Sequence, residues 1–138
     1  MTDSGGQSRA MAHPGADARV TTDLRTDVRA ALVAPPAEGP AGDVTAVFCF
    51  SPDFRGFQGH FPGNPVLPGI VQILMAEVTA GRGNDPALKE VARCKFLRPV
   101  SPGERVSVTA APAGEGKWIC DLNTGGERCA LMTLIFAV

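Results

Sequence analysis

Residues 68–82, PGIVQILMAEVTAGR, decide the fold of this 138-residue chain. From Gly69 onward the stretch is apolar on nearly every side of a helical projection, and Pro68 suits the first turn of a helix. Gly81 and Gly83 suit its end. A surface helix would keep one polar face, so this pattern predicts a helix that is surrounded by protein. A single buried helix in a chain of this size requires a sheet that curls around it.

Two β-like segments precede this helix and four follow it. The segments are residues 28–34, 43–51, 87–100, 104–113, 117–123 and 128–138. Glycine-rich turns join the successive strands, which favours an antiparallel sheet. The last segment is dense in β-branched and apolar residues, so we expect it to be a central strand. The turn cluster PPAEGPAG separates the first two predicted strands.

Composition excludes several classes of function. Thirteen Lys and Arg residues against fourteen Asp and Glu residues give a net charge of -1, so we expect no nucleic-acid binding. The longest nearly apolar run, residues 69–78, is too short for a membrane-spanning helix, which needs about 20 residues. Residues 1–26 lack apolar periodicity and a secretory signal. We therefore expect a flexible tail at 1–26, one domain at 27–138 and a cytoplasmic location.

Cysteine and histidine are too scattered to predict a metal site. Four cysteines stand singly in apolar stretches and are interpreted as buried small hydrophobes: Cys49, Cys94, Cys120 and Cys129. His13 belongs to the predicted tail. His60 is therefore the only candidate for imidazole chemistry in the folded part of the chain.

His60 lies in a nineteen-residue loop, SPDFRGFQGHFPGNPVLPG, whose four prolines and four glycines exclude regular structure. Residues 59–69 predict a rigid ledge that leads into the helix. Free amide groups around Gly69, at the start of the helix, would carry partial positive charge. A base and an oxyanion site are the minimum for removing a proton next to a thioester. A histidine merely hydrogen-bonded in a proline-rich loop is the alternative.

The string FQGHFPGNPVLPG, residues 57–69, resembles the signature of bacterial 3-hydroxyacyl-acyl carrier protein dehydratases of the FabZ/FabA type, which typically reads GHFPGxPVMPG. KFLRPVSPGERV, residues 95–106, is similar to the F-x-R-P-V-x-P-G-D segment of that family. The resemblance covers about residues 27–138. It implies an α+β hotdog fold, in which an antiparallel sheet wraps around one long central helix. It also implies a dimer formed by joining two sheets edge to edge, with active sites at the interface.

The resemblance also implies roles for two residues. His60 corresponds to the base that removes the C2 proton of a 3-hydroxyacyl thioester, and Gly69 to the amide that binds the thioester carbonyl. The product would be a trans-2-enoyl thioester. No metal or cofactor is implied, because imidazole and amide dipoles suffice for this deprotonation. The acidic residue expected fourteen positions after the histidine is missing, since position 74 is Leu. The glutamine usual four residues later is also missing, since position 78 is Val.

Three sources could replace the missing carboxylate. In the family the histidine and the acid of one site come from opposite protomers, so a second hotdog subunit could supply the acid in a heterodimer. Glu77, three residues after Leu74, lies on a neighbouring part of the helix face; its alternative is contact with solvent or a pair with Arg82. Gln72 could hold the substrate hydroxyl or a water, and its alternative is a bond to nearby backbone.

The run PGIVQ, residues 68–72, resembles the PGVxQ run of FabZ-like dehydratases from aryl polyene and related pathways, which often work beside a second hotdog subunit. Our leading hypothesis is a dehydratase subunit of fatty-acid or polyketide biosynthesis, active as a homodimer or heterodimer. A catalytically incomplete partner that stabilises or complements an active dehydratase is one alternative. A hotdog thioesterase is the other.

Aromatic and basic residues predict where the substrate and its carrier bind. Phe57 and Phe61 flank the base and would wall an acyl tunnel, or would instead staple the loop to the fold. We assign Gln72 and Leu74 to the same substrate-binding set. Acyl carrier proteins are acidic and present a phosphopantetheine arm, so local basic residues would steer docking. We expect that role for three residues of a basic stretch, for which a solvated strand exterior is the alternative: Arg93, Lys95 and Arg98.

Overall fold

The computed structural model describes residues 24–54, 57, 66–82, 84 and 86–137. Helix α1 includes residues 24–30. The other elements, in chain order, are β1 (Ala37–Glu38), β2 (Val44–Cys49), α2 (Gly69–Ala80), β3 (Leu88–Phe96), β4 (Arg105–Pro112), β5 (Lys117–Thr124) and β6 (Glu127–Phe136).

The six strands form one antiparallel sheet in the order β1-β2-β4-β5-β6-β3. Helix α2 packs against β2, β4, β5 and β6. The final strand β6 lies between β5 and β3, as predicted for a central strand. Within the described part of the chain β3 pairs only with β6, so β3 is an edge strand nine residues long.

The core lies between α2 and the sheet face that the helix covers. Strand residues alternate between the two faces, so every second side chain enters the core. On β4, Val106, Val108 and Ala110 are fully buried, whereas the intervening Ser107 and Thr109 are only half-buried. This alternation fixes the register, because a slip of one residue would expose the apolar set to solvent.

Helix α2 is buried almost all round, as its sequence predicts. Nine of its twelve residues are buried, and Ile70 is the exposed apolar exception. The helix ends at Gly81, where a Cβ would stand only 2.6 Å from Cδ of Pro86 and 2.8 Å from the carbonyl oxygen of Asn84. Only glycine fits this close approach. Among the described helices, none is long and apolar enough to cross a lipid bilayer.

The predicted first strand at residues 28–34 is wrong. Residues 24–30 are helical, and the remainder contributes only an isolated bridge between Leu32 and Phe48. Alanine, arginine and leucine dominate this segment and favour a helix, and one buried residue, Val28, suffices to attach it to the core. The first strand of the sheet instead comes from Ala37–Glu38, inside the predicted turn cluster. Residues 24–26 of the predicted tail belong instead to helix α1, and residues 1–23 lie outside the described residues.

Candidate active site

A pocket of about 490 Å³ lies where helix α2 begins and strand β3 ends. The start of α2 contributes Leu67, Gly69 and Gln72 to its lining. The opposite wall comes from residues 96–98, at the end of β3 and just beyond it. Two backbone hydrogen bonds hold the walls, one from the Leu67 amide to the Val100 carbonyl (2.8 Å) and one from the amide of residue 97 to a carbonyl of β6 (2.9 Å).

The N-terminus of α2 leaves amide groups uncapped beside this pocket. Pro68 is the N-cap, with an extended ψ of 154°, and it has no side chain that can cap the helix. Its carbonyl accepts bonds from the amides of Val71 (3.1 Å) and Gln72 (3.2 Å). Among the described residues the Gly69 amide has no acceptor. An uncapped amide at a helix N-terminus attracts an oxygen that carries negative charge.

Phe96 packs directly on Gly69. A Cβ on Gly69 would stand 2.8 Å from Cζ and 2.9 Å from Cε2 of the phenyl ring. Any side chain at position 69 would therefore displace the ring. Phe96 and Leu97 line the pocket and are about half exposed, so they form its apolar rim.

Gln72 is a buried polar residue in the pocket lining. It is 3% exposed, and its Nε2 donates a hydrogen bond of 3.2 Å to the Leu67 carbonyl. Its Oε1 is also buried, and no donor of the described residues reaches it. The predicted alternative, a bond to nearby backbone, therefore accounts for only half of the amide group.

Leu74 lies outside the pocket lining. It is 1% exposed, and its position is about 160° around the helix axis from Gln72. The helix therefore presents position 74, where the family carries its acid, to a different side from the Gly69 amide.

Glu77 also lies outside the pocket lining and is 5% exposed. Its carboxylate forms an ion pair of 3.0 Å with Arg25 of helix α1. Burial raises the pKa of Glu77, and the Arg25 guanidinium lowers it in part. Neither part of the alternative for Glu77, contact with solvent or a pair with Arg82, is found, because Glu77 is buried against Arg25 and Arg82 bonds to Glu38.

Phe57 is 6% exposed and packs edge-to-face on Phe54, with ring centroids 5.6 Å apart. This contact favours the alternative in which Phe57 staples the loop to the core. His60 and Phe61 lie outside the described residues, so their roles remain predictions.

Arg93 and Lys95 are exposed and share one face of the sheet, since they stand opposite Thr133 and Leu131 of β6. A solvated strand exterior would look the same, so their part in docking stays a prediction. Exposed cations such as these interact with a charged partner at long range.

Arg98 differs from the other two predicted docking residues because it is bound inside the chain. It forms ion pairs with Glu104 (3.2 Å) and Glu127 (3.3 Å), and its Nη1 is buried without a partner in the described region. A hydrogen bond from the Ser101 amide, with help from Arg98, lowers the pKa of Glu104. Two carboxylates thus balance one guanidinium at the pocket wall.

The cysteines are free thiols; Cys120 and Cys129 are buried as expected for small hydrophobes, whereas Cys49 and Cys94 are only half-buried. Burial raises the pKa of Cys120 to about 12 and also raises the pKa values of Cys94 and Cys129. In the described ranges no group of three or more His, Cys, Asp or Glu side chains is arranged to hold a metal ion. A second pocket of about 400 Å³, between α1 and the end of β2, contains none of the predicted site residues.

Solved structures confirm the hotdog fold. The dehydratase heterocomplex ApeI:P from Xenorhabdus doucetiae superposes with a TM-score of 0.68 at 16% identity, covering 78% of this chain and 96% of that chain. The Escherichia coli PaaI protein of the phenylacetic acid degradation operon gives a TM-score of 0.57 at 15% identity, covering 90% and 96%. An antiparallel sheet on one buried helix, with a pocket at the start of that helix, thus defines a hotdog-fold protein.

Sequence comparison gives the family. Residues 37–130 match the ApeI-like family, described as ApeI dehydratase. FabZ, the 3-hydroxyacyl-[acyl-carrier-protein] dehydratase of Alkaliphilus metalliredigens, is 34% identical over 95 residues, 59% of this chain and 65% of the relative. FabZ of Symbiobacterium thermophilum is 34% identical over 113 residues, 72% of this chain and 79% of the relative. The chain belongs to the ApeI-like dehydratase family, and the predicted resemblance to FabZ-like dehydratases is confirmed.

Two relationships escaped prediction from the sequence. Phe96 belongs to the quoted family segment, but its contact with Gly69 joins residues 27 positions apart and has no local signal. The Arg25–Glu77 pair spans 52 positions. The one available hint was a lone acid, Glu77, in an otherwise apolar helix, which calls for a buried partner.

Proposed function

We propose that this chain is the histidine-bearing subunit of a dehydratase that removes water from a 3-hydroxyacyl thioester on an acyl carrier protein. The observation that carries the proposal is the uncapped Gly69 amide in an apolar-rimmed pocket at the start of α2. The family match and the FabZ relatives, whose name specifies this reaction, support it.

The proposed reaction uses His60 as the base. Its imidazole removes the C2 proton, and the electron pair moves toward the thioester carbonyl oxygen. The Gly69 amide donates a hydrogen bond to that oxygen and stabilises the developing negative charge. The C2=C3 double bond then forms as the C3–O bond breaks, and the departing hydroxyl takes a proton to leave as water. That proton comes from protonated His60 or from a separate acid.

We propose that a second hotdog subunit supplies the separate acid. The described pocket lining contains no carboxylate, and the nearest predicted substitute, Glu77, is bound to Arg25. An identical subunit would bring Leu74, which cannot donate a proton. The open edge of β3 and the apolar rim of Phe96 and Leu97 support an interface on this side of the molecule. The similar solved structure of ApeI:P is itself a heterocomplex.

The acyl carrier protein is the proposed second partner. Arg93 and Lys95 are exposed on one sheet face near the pocket end of β3, where an acidic carrier would be attracted. Arg98 was predicted as a third docking residue, but its pairs with Glu104 and Glu127 make it a poor one. The cytoplasmic location also remains a prediction.

The test is a dehydration assay on the chain alone and mixed with a second hotdog protein encoded beside it. Mass spectrometry follows loss of water from a 3-hydroxyacyl carrier substrate. We expect turnover only in the mixture, abolished by His60→Ala and retained in Glu77→Gln. Turnover by the chain alone that Glu77→Gln abolishes would instead make Glu77 the acid. Full activity of His60→Ala in the mixture would assign this chain a non-catalytic role, and release of free acid would indicate a thioesterase.

A further inference from the structure

The side-chain amide of Gln72 has a fixed orientation. The Leu67 carbonyl can only accept a hydrogen bond, so the amide group that faces it at 3.2 Å must be the NH₂ group. The carbonyl oxygen Oε1 therefore points to the other side of the amide. A terminal amide would otherwise rotate freely between two orientations.

Oε1 of Gln72 is buried, and no donor on the described residues reaches it. A buried acceptor without a hydrogen bond is unfavourable and rare in folded proteins. Gln72 is only 3% exposed, and its side chain lines the pocket. Arg98, on the opposite wall, does not bond to it, since its own Nη1 also lacks a partner in the described region. Within the described part of the chain Oε1 is thus left for a donor on a molecule that enters the pocket.

The Gly69 amide and Gln72 are suited to one ligand. They are three residues apart on α2, so they lie about 60° apart around the axis and within one turn. In a 3-hydroxyacyl thioester, the carbonyl oxygen and the 3-hydroxyl are separated only by C1, C2 and C3. The carbonyl oxygen needs a donor, which Gly69 offers. The 3-hydroxyl group can donate a hydrogen bond, and Oε1 of Gln72 can accept one.

We propose that Oε1 of Gln72 accepts a hydrogen bond from the 3-hydroxyl group of the bound substrate. This inference rests on the proposed function. Gln72 is a positioning residue, because an amide cannot protonate the leaving group. With its O–H directed at Gln72, the hydroxyl oxygen keeps its lone pairs for the proton that makes it leave as water. The enoyl product has no hydroxyl, so Gln72 favours substrate over product.

The test measures binding without turnover. In a His60→Ala background, with the partner subunit if turnover needs one, the ligands are three pantetheine thioester analogues of the carrier-bound chain: 3-hydroxyacyl, saturated acyl and trans-2-enoyl. We expect Gln72→Met to weaken binding of the 3-hydroxyacyl analogue about tenfold, as for one lost hydrogen bond, and to leave the other two unchanged. If Gln72→Met weakens binding of all three analogues equally, the proposal is overturned, and the donor to Oε1 is an amide N–H group of the shared pantetheine.

A matched variant separates the hydroxyl contact from the fold. Burial favours the protonated form of a glutamate at this position, whose O–H can donate to the Leu67 carbonyl in place of Nε2 while its other oxygen remains an acceptor. We therefore expect Gln72→Glu to keep the preference for the 3-hydroxyacyl analogue. Loss of that preference in Gln72→Glu with an unchanged circular dichroism spectrum and melting temperature would count against the proposal. If the wild-type complex fails to dehydrate any substrate but Gln72→Met still loses the preference, the proposed function fails and this inference stands. If the wild-type complex dehydrates the substrate but the His60→Ala background shows no preference for the 3-hydroxyacyl analogue, this inference alone is overturned.

Discussion

The phenyl ring of Phe96 lies so close to Gly69 that a methyl group at position 69 would stand 2.8 Å from Cζ. Position 69 begins the central helix, and position 96 ends the edge strand. The phenyl ring in the pocket wall can therefore pack on the helix N-terminus only because residue 69 has no side chain. A change at either residue alters the access of a ligand to the Gly69 amide.

Gly69→Ala should lower activity more than stability. The ring of Phe96 is 50% exposed and can swing toward solvent, so we expect a loss of about 1 kcal/mol or less, at the low end of overpacking costs. The displaced ring and the new methyl group narrow the pocket, and kcat/KM should fall at least about tenfold. Urea unfolding and the dehydration assay measure the two effects.

The double variant Gly69→Ala/Phe96→Ala is the control for this contact. Removal of the ring relieves the clash, so the two substitutions should be non-additive in stability. Strict additivity would mean that the ring and residue 69 do not compete for space.

Arg25→Ala should destabilise the chain more than Glu77→Gln. The first leaves a carboxylate buried without its counter-charge, which typically costs 3–5 kcal/mol in a fully buried pair. We expect about 2 kcal/mol, because the Arg25 side chain is 27% exposed and water already screens part of the interaction. Glu77→Gln removes the buried charge and should cost less. Urea unfolding of both variants at neutral pH gives the comparison.

The same pair predicts a pH dependence. Burial raises the pKa of Glu77 above its usual 4.5, so the folded state binds a proton that the unfolded state has released. The contribution of this group to stability is therefore greatest below 4.5 and is lost as the pH rises through the raised value. Glu77→Gln should flatten this decline, and Arg25→Ala should extend it to higher pH. Unfolding free energies from about pH 4 to about pH 8 measure it; a parallel profile for Glu77→Gln and wild type would contradict it.

Charge reversal on the edge strand should slow the reaction with carrier-bound substrate. Arg93→Glu/Lys95→Glu repels an acidic carrier, so we expect kcat/KM to fall about tenfold at low salt and less at high salt. A free pantetheine thioester should react as before. Lys89→Glu/Lys117→Glu is the charge-matched control, since both lysines are exposed near the end of the sheet that is farther from the pocket. Equal losses in both variants would show a general charge effect without a docking surface.

An aspartate in the apolar rim should disrupt the proposed subunit interface. Leu97 is 54% exposed, so Leu97→Asp costs the single subunit little, but it places a charge against the apolar rim of the pocket. Val33→Asp is the control, because Val33 is 46% exposed and bonds to β2, on the opposite side of the sheet from β3. Analytical ultracentrifugation should show dissociation only for Leu97→Asp; a persistent dimer would place the interface elsewhere.

Local sequence signals predicted most of the fold. Helix α2 and strands β2, β4, β5 and β6 were predicted from patterns among neighbouring residues, and the structure confirms them. The segment at 28–34 failed because a short run of alanine, leucine and valine fits both a helix and a strand. Strand β1 could not be predicted, since pairing with β2 alone makes its two residues a strand.

The site was predictable only along the helix. Gly69 and Gln72 share the pocket because three residues make nearly one turn, which the sequence states directly. Phe96 and Arg25 reach the helix through tertiary packing, and no periodicity encodes which distant residue arrives. The sequence therefore offered only solvent or Arg82 as alternative partners for Glu77, and Arg25 was not among them.

The position of β3 at the edge of the sheet also affects how readily the chain aggregates. Within the described residues no strand pairs with the outer edge of β3, and such an edge can pair with strands of other chains and lead to aggregation. Charged side chains at Lys89, Glu90, Arg93 and Lys95 act as gatekeepers against that stacking. A copy made without the proposed second subunit would depend on these charged side chains alone to prevent aggregation through β3.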